Sequence, residues 1–100
     1  MTPEKKVQSD IEAYLKERSI LFFRRQAGGG NSYHTGLPDL YGCHNSIHFE
    51  IEVKSDSGKL SSAQLKWKSI LTLHGAIYII APSLEKFKTE WKKYFKEDQI

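Results

Sequence analysis

The segment Ile47–Lys54 alternates apolar and polar side chains without a break, and this pattern limits the fold more than any other part of the chain. Side chains of a β-strand point alternately to the two faces of a sheet, so the segment predicts a strand with one apolar and one polar face. The apolar face holds Ile47, Phe49, Ile51 and Val53, and the polar face holds His48, Glu50, Glu52 and Lys54. The fold must therefore bury one row and accommodate several charges on the other.

The preceding segment, Leu37–Gly42, is predicted to form the other arm of an antiparallel hairpin. The residues between the two arms, Cys43 to Ser46, favour a turn. Folding the chain about this turn brings Asp39 roughly opposite Glu50 and Glu52. Two or three carboxylates then converge within reach of one point.

A helix and a strand are predicted before the hairpin. The helix begins at Thr2, which can cap it, with Pro3 at the first helical position, and it ends near Arg18. Its apolar face carries Val7, Ile11, Tyr14 and Leu15. The β-branched and aromatic segment Ile20–Gln26 favours a strand that leads into a glycine-rich loop at 28–30.

After the hairpin, the chain predicts a helix, a strand and a helix. Ser61 and Gln64 have the spacing of a capping box, and Gly75 ends that helix. The apolar run Ala76–Ala81 is typical of a strand buried on both faces, and the helix before it would form the crossover of a parallel connection. A last helix starts after Pro82, and its buried stripe is predicted to be Leu84, Phe87, Trp91 and Tyr94.

This order of elements predicts an α/β fold with a mixed central sheet flanked by helices. With 100 residues, 39% of them apolar, the chain has room for one modest core, so residues 1–100 are expected to form a single domain. Trp67 and Trp91 fall on apolar helix stripes and are expected in that core.

Composition excludes several kinds of protein. Cys43 is the one cysteine, and the four histidines lack metal-ligand spacing, so neither a disulfide nor a structural zinc site is expected. No stretch reaches the roughly 18 to 20 apolar residues of a membrane helix, and we expect a cytoplasmic protein without membrane contact. A net charge of +3 gives a mild bias toward polyanions.

The clustered carboxylates of the hairpin need a counter-charge. Neighbouring carboxylates raise each other's pKa, and a divalent cation relieves this because it binds several oxygens at once. Mg²⁺ prefers a few carboxylates and keeps water, which can become the attacking nucleophile. Lys54 would supply a positive charge near the negative charge that develops in phosphodiester cleavage. A carboxylate pair with this lysine therefore fits a phosphoryl-transfer site.

Each of these residues also has an ordinary structural interpretation. An Asp after Pro is common at a turn, alternating Glu and Lys are common on a solvated strand face, and Gln64 is explained by its capping box. The combination favours a functional interpretation, because all the residues fall at hairpin-compatible positions on one order of elements. They are Asp39, Glu52, Lys54 and Gln64.

Gly36-Leu37-Pro38-Asp39, with Glu52-Val53-Lys54 beginning thirteen residues after the Asp, resembles the signature of the PD-(D/E)xK nucleases. The wider pattern is similar to the VRR-nuclease (VRR-NUC) branch of that superfamily. Gln64, the strand Gly75–Ala81 and the opening helix Glu4–Leu15 support this likeness. The resemblance covers nearly the whole chain and implies a restriction-endonuclease-like core.

The resemblance also implies roles for the central residues. Asp39 and Glu52 would be ligands of Mg²⁺ or Mn²⁺, and the Val53 carbonyl would be a further ligand. Lys54 would be the catalytic cation. Gln64 would lie beside these residues, at the start of the helix that follows the hairpin.

The residues around this centre are less sharply assigned. The opening helix of the superfamily often supplies another acid, and Glu4, as a metal ligand, and Gln8, beside the ligands, are favoured over Glu12. Glu50 shares the strand face of Glu52, and its interpretation is open: it is a direct metal ligand, or it supports the ligands or lies at the surface.

A basic edge is predicted beside the site. Arg24 and Arg25 precede three glycines and would contact DNA phosphates, because guanidinium groups bind phosphate oxygens in pairs. His34 and Lys66 are the other predicted DNA contacts. The alternative is an exposed strand end for the arginines and a solvated helix face for the lysine.

Three functions follow from these observations. The first is a metal-dependent DNA endonuclease, and the resemblance implies branched DNA such as four-way junctions as substrate and a homodimer as the active form. Compact nucleases of this type are similar to phage and mobile-element proteins. The second is a DNA-binding module that does not cleave, although such a module has no need for the complete set of Asp39, Glu52 and Lys54. The third is a nuclease acting on RNA or on ordinary duplex.

Overall fold

The computed structural model describes residues 2–25, 35–54 and 59–96, which form a four-stranded sheet with helices on both faces. The elements are α1 (Pro3–Glu17), β1 (Leu21–Arg24), β2 (Leu40–His44), β3 (Ile47–Val53), α2 (Ser62–Leu73), β4 (Ile77–Ala81) and α3 (Leu84–Tyr94). This order confirms the predicted sequence of helix, three strands, helix, strand and helix. Among the described residues, no helix is both long enough and apolar enough to cross a membrane.

The sheet is mixed, as predicted. Its strands lie in the order β1-β2-β3-β4, with antiparallel pairing from β1 to β3 and parallel pairing between β3 and β4. A parallel pair needs a crossover connection, and α2 provides it on the way from β3 to β4. The predicted strand Ile20–Gln26 is shortened to Leu21–Arg24, and Gln26 lies outside the described residues.

Each helix starts where local side-chain chemistry predicts it. The Thr2 hydroxyl accepts from the Lys5 N–H, and the Ser61 hydroxyl accepts from the Gln64 N–H at 3.2 Å, while the Gln64 side chain accepts from the Ser61 N–H at 2.8 Å. Ser83 caps the last helix. These bonds satisfy backbone donors that have no partner inside a helix.

The hairpin turn is tighter than the sequence predicts. Cys43 and His44 belong to β2, and the turn consists of Asn45 and Ser46, whose φ angles are 53° and 67°. Two successive residues with positive φ match the twist of the flanking strands, so a two-residue turn is favoured over a longer one. The ladder therefore extends to the pair His44 and Ile47.

The core lies between the apolar face of the sheet and the helices α1 and α3. Phe49 stands edge-on to Trp91, with 5.0 Å between ring centroids, and Trp91 stacks on Phe95. The prediction that Tyr94 is buried is wrong, because Tyr94 is 47% exposed and Phe95, beyond the end of α3, takes the core position. The other buried apolar residues include Ile11, Leu15, Leu40, Ile51, Val53, Ile79 and Phe87.

The opposite face of the sheet has a thinner cover. No residue of α2 is buried, and the expectation that Trp67 is a core residue is wrong: it is half-buried and donates its indole N–H to the Thr35 carbonyl at 3.1 Å. Tyr78 and Ile80 are also only half-buried, so β4 is not buried on both faces. The reason is that β4 is an edge strand that α2 covers only in part.

We predict that Gly42→Ala strongly destabilises the fold. A Cβ at this position would lie 2.6 Å from the Phe49 ring and overlap the Leu21 carbonyl oxygen. We expect the free energy of unfolding, measured by urea denaturation, to fall by about 3 kcal/mol. Gly75→Ala is the control, because its Cβ would enter open space and meet only the cost of a φ of +94°, about 1 kcal/mol. Similar losses in the two variants would contradict this interpretation.

Candidate active site

Asp39 and Glu52 meet where the hairpin ladder begins. β2 starts one residue after Asp39, and the register of Leu40 with Ile51 places Asp39 opposite Glu52. The Asp39 Oδ2 atom accepts from the Val53 N–H at 2.8 Å. Because the N–H and C=O of one strand residue point to the same side, the Val53 carbonyl also faces Asp39. The hairpin thus brings together the three groups for which the family resemblance implies metal binding.

Glu52 is held by the start of α2. Its side chain is 4% exposed, and its Oε2 atom accepts from Gln64 Nε2 at 3.1 Å. The other end of the Gln64 side chain accepts from the Ser61 N–H. The capping interpretation and the site interpretation of Gln64 therefore both hold. Within residues 2–25, 35–54 and 59–96, the buried Glu52 Oε1 atom has no hydrogen-bond partner.

Burial and charge make this carboxylate pair reluctant to ionise. Burial raises the pKa of Glu52 from 4.5 to about 8, and the negative charge of Asp39 adds to this rise, whereas Lys54 opposes it. Burial also raises the pKa of Asp39, although the hydrogen bond from Val53 works in the opposite direction. Both carboxyl groups of the pair therefore ionise at a higher pH than ordinary carboxyl groups do.

The geometry of the pair fits a divalent cation. A cation would supply the positive charge that two adjacent, poorly hydrated carboxylates lack, and it would give the Glu52 Oε1 atom a partner. Among the described residues, no three His, Cys, Asp or Glu side chains converge closely enough to hold a metal. The donors here are two carboxylates and a carbonyl, a set that suits Mg²⁺ because this ion keeps several waters.

Two other predicted residues lie within electrostatic reach of the pair. Lys54 follows β3, its backbone N–H donates to the Ala81 carbonyl at 2.9 Å, and its charge lowers the pKa of Glu52. Glu4 is exposed on the first turn of α1, and its charge raises the pKa of both Asp39 and Glu52. The role of Glu4 as a metal ligand stays a prediction.

Gln8 contacts Glu12 rather than the carboxylate pair. Gln8 Nε2 donates to Glu12 Oε2 at 3.0 Å, and Arg24 binds both Glu12 oxygens, at 3.1 and 2.9 Å. Burial raises the pKa of Glu12, but the hydrogen bonds from Arg24 and Gln8 outweigh it and lower the pKa below its usual value. The Arg24 side chain is 63% exposed.

Arg25 forms an ion pair with the buried Glu50, and the sequence did not predict this pair. Glu50 has no exposed surface, and Arg25 donates to its two oxygens at 2.7 and 3.3 Å. His48 Nε2 lies 2.6 Å from Glu50 Oε2. The sequence shows only that Glu50 and His48 share a strand face, whereas the contacts of Arg25 with Glu50 and with the Tyr41 ring, 4.3 Å away, depend on how β1 docks beside β2. A solvated face, the ordinary alternative for this strand, is excluded for Glu50 and Glu52.

The other two predicted DNA contacts are Lys66 and His34. Lys66 is exposed on α2, with its Nζ atom 5.8 Å from the centre of the Trp67 ring. His34 lies outside the described residues. The contacts of Arg24, Arg25, His34 and Lys66 with DNA stay predictions.

Comparison with known proteins supports the fold. A solved structure described as a VRR_NUC domain is similar to this chain, with a TM-score of 0.79, 21% sequence identity and coverage of 95% of this chain and 100% of that chain. The sequence matches no protein-family profile, and no curated protein matches it. At the level of the fold, the resemblance found in the sequence is confirmed.

The raised pKa of Glu52 predicts that stability depends on pH in the metal-free protein. A folded carboxyl that titrates near 8 instead of 4.5 binds its proton more tightly than the unfolded chain does. Its contribution is therefore complete below pH 4.5 and is lost as pH rises to about 8, by up to about 1.4 kcal/mol per pH unit. Urea unfolding in EDTA at a series of pH values should show this decline, and Glu52→Gln should flatten it. Equal slopes in the two proteins would contradict the assignment.

Proposed function

We propose, from the VRR-NUC fold and the pair formed by the half-buried Asp39 and the buried Glu52, that this protein is a metal-dependent DNA endonuclease. The observation that carries the proposal is the Glu52 Oε1 atom, a buried carboxylate oxygen without a partner among the described residues, beside a second carboxylate. A domain that only bound DNA would gain nothing from this costly pair. Cation binding explains it.

Different residues of the site would have different roles in phosphodiester hydrolysis. Asp39, Glu52 and the Val53 carbonyl would hold Mg²⁺ or Mn²⁺, which when bound activates water as the nucleophile. Gln64 keeps one Glu52 oxygen oriented, at 3.1 Å. Lys54, whose charge already acts on Glu52, stabilises the negative charge that develops on the phosphate.

The basic edge would guide DNA to this centre. Arg24 keeps most of its side chain exposed although Glu12 fixes its guanidinium, and such a fixed cation suits a phosphate. Lys66, exposed on the helix that carries Gln64, and His34 would add further contacts. We assign these residues to binding rather than to chemistry.

The proposed substrate is branched DNA, such as a four-way junction, cut by a homodimer. A symmetric junction needs two nicks, and a dimer with two-fold symmetry presents two identical sites. Leu21 and Phe23 of β1 support the dimer, because both are apolar and about half-exposed on one face of the sheet, at 57% and 49%. A second copy of the chain would cover them.

We predict that Lys54→Ala abolishes most cleavage while the protein still binds DNA. Labelled four-way junction, flap and linear duplex are incubated with Mg²⁺, Mn²⁺ or EDTA. The rate at saturating DNA should fall by about 10²- to 10³-fold in the variant, and EDTA should stop the wild type. Lys93→Ala removes the same charge from an exposed site on α3 and should cleave normally.

The outcomes of this assay separate the candidate functions. Preference for the junction over the duplex supports the branched substrate. Binding without cleavage under any metal would overturn the enzyme and favour the non-catalytic module. Cleavage of RNA or of plain duplex at the same rate as the junction would favour the third candidate.

The dimer has its own test. We predict that light scattering finds a wild-type dimer and that Leu21→Ser with Phe23→Ser shifts it to a monomer, because the apolar contact is lost. Leu73→Ser changes a leucine that is 82% exposed on α2 and should leave the dimer intact. A monomeric wild type would contradict the proposed assembly.

A further inference from the structure

Arg25 contacts the main chain on both sides of the Asp39 α-carbon. Its backbone N–H donates to the Asp39 carbonyl at 2.9 Å, and its Nη1 atom donates to the Pro38 carbonyl at 2.9 Å. Asp39 stands one residue before β2 begins. The two peptide groups that determine the direction of its side chain are therefore bound to one and the same residue.

The guanidinium of Arg25 is itself fixed. The fully buried Glu50 carboxylate accepts from Nη1 and Nη2, and the ring of Tyr41 lies under the guanidinium. His48 Nε2 lies 2.6 Å from Glu50 Oε2, the oxygen that Nη2 also contacts. A planar guanidinium that is bound in this way has little conformational freedom, so it can hold the main-chain groups that it contacts in fixed positions.

We propose that Arg25 and Glu50 are positioning residues that orient the Asp39 carboxylate toward Glu52 for cation binding. This inference rests on the proposed function of the acidic pair. A small displacement of one ligand weakens binding and slows the reaction even when the fold is intact. The Val53 N–H reports the position of Asp39, because it donates to Asp39 Oδ2 at 2.8 Å.

A positioning role and a phosphate-binding role predict different effects of removing the Arg25 side chain. Only 26% of the Arg25 side chain is exposed, and its guanidinium is engaged with Glu50 and Pro38. If Arg25 mainly bound phosphate, its loss would weaken DNA affinity and reduce the salt dependence of binding. If it positions Asp39, its loss lowers the rate at saturating DNA and leaves affinity and salt dependence unchanged.

The first test compares Arg25→Lys, which keeps the charge but cannot form the fork, with the nearly isosteric Glu50→Gln. We expect the rate at saturating DNA to fall by about tenfold or more in Arg25→Lys and by less in Glu50→Gln, with DNA affinity in EDTA unchanged in both. Asp10→Asn makes the matching carboxylate-to-amide change in the exposed pair with Lys6 and should leave the rate unchanged. Lower DNA affinity at an unchanged maximal rate would overturn the inference.

The second test does not depend on cleavage. We expect Arg25→Lys to weaken Mn²⁺ binding, measured by calorimetry, and to shift the Val53 amide resonance and speed its hydrogen exchange. If the wild type cleaves no nucleic acid, the proposed function fails, but these measurements still decide the positioning role. If Arg25→Lys does not fold, the Val53 resonance and Mn²⁺ affinity of Glu50→Gln decide instead. If a folded variant keeps both the wild-type Val53 resonance and the wild-type Mn²⁺ affinity, the inference is overturned.

Discussion

Two carboxylates on the polar face of β3 are buried, and the side chains of the neighbouring elements are arranged around them. Glu50 and Glu52 are 0% and 4% exposed. Charges taken out of water need partners, because the interior does not replace lost hydration. Glu50 contacts Arg25 and His48. Glu52 accepts one hydrogen bond from the Gln64 amide, and its other oxygen has no hydrogen-bond partner in the described residues. All the charge of the first carboxylate is matched by side chains, and the second is the carboxylate to which we assign the proposed cation.

The sequence predicts those parts of the fold and site that depend on local pattern. Alternation along Ile47–Lys54 and a turn before it are enough to bring Asp39 close to Glu50 and Glu52, but only the two-residue turn of the structure determines that Glu52 is the residue opposite. The sequence does not predict that Arg25 binds Glu50, because this pairing depends on how β1 docks beside β2. Likewise, helical spacing alone did not separate Tyr94 from Phe95, because the end of α3 decides which ring faces Trp91.

The cation that we propose would compete with protons for the same carboxylate oxygens. Because the pKa of Glu52 is raised to about 8, entry of that cation would be coupled to loss of a proton. Its apparent affinity would therefore rise with pH up to about 8. Lys54 moderates this competition because its charge favours the ionised carboxylate.

Gln64 links the capping of α2 to the orientation of the Glu52 carboxylate. One side chain completes the cap of α2 through the Ser61 N–H and holds Glu52 through its amide. Helix ends are the places where helices open first, on the nanosecond to microsecond timescale. Each opening of the first turn of α2 would also release Glu52. The order of the acidic pair is thus linked to the local unfolding of one helix end, and a substitution that changes the frequency of fraying changes how often the pair is ready for a ligand.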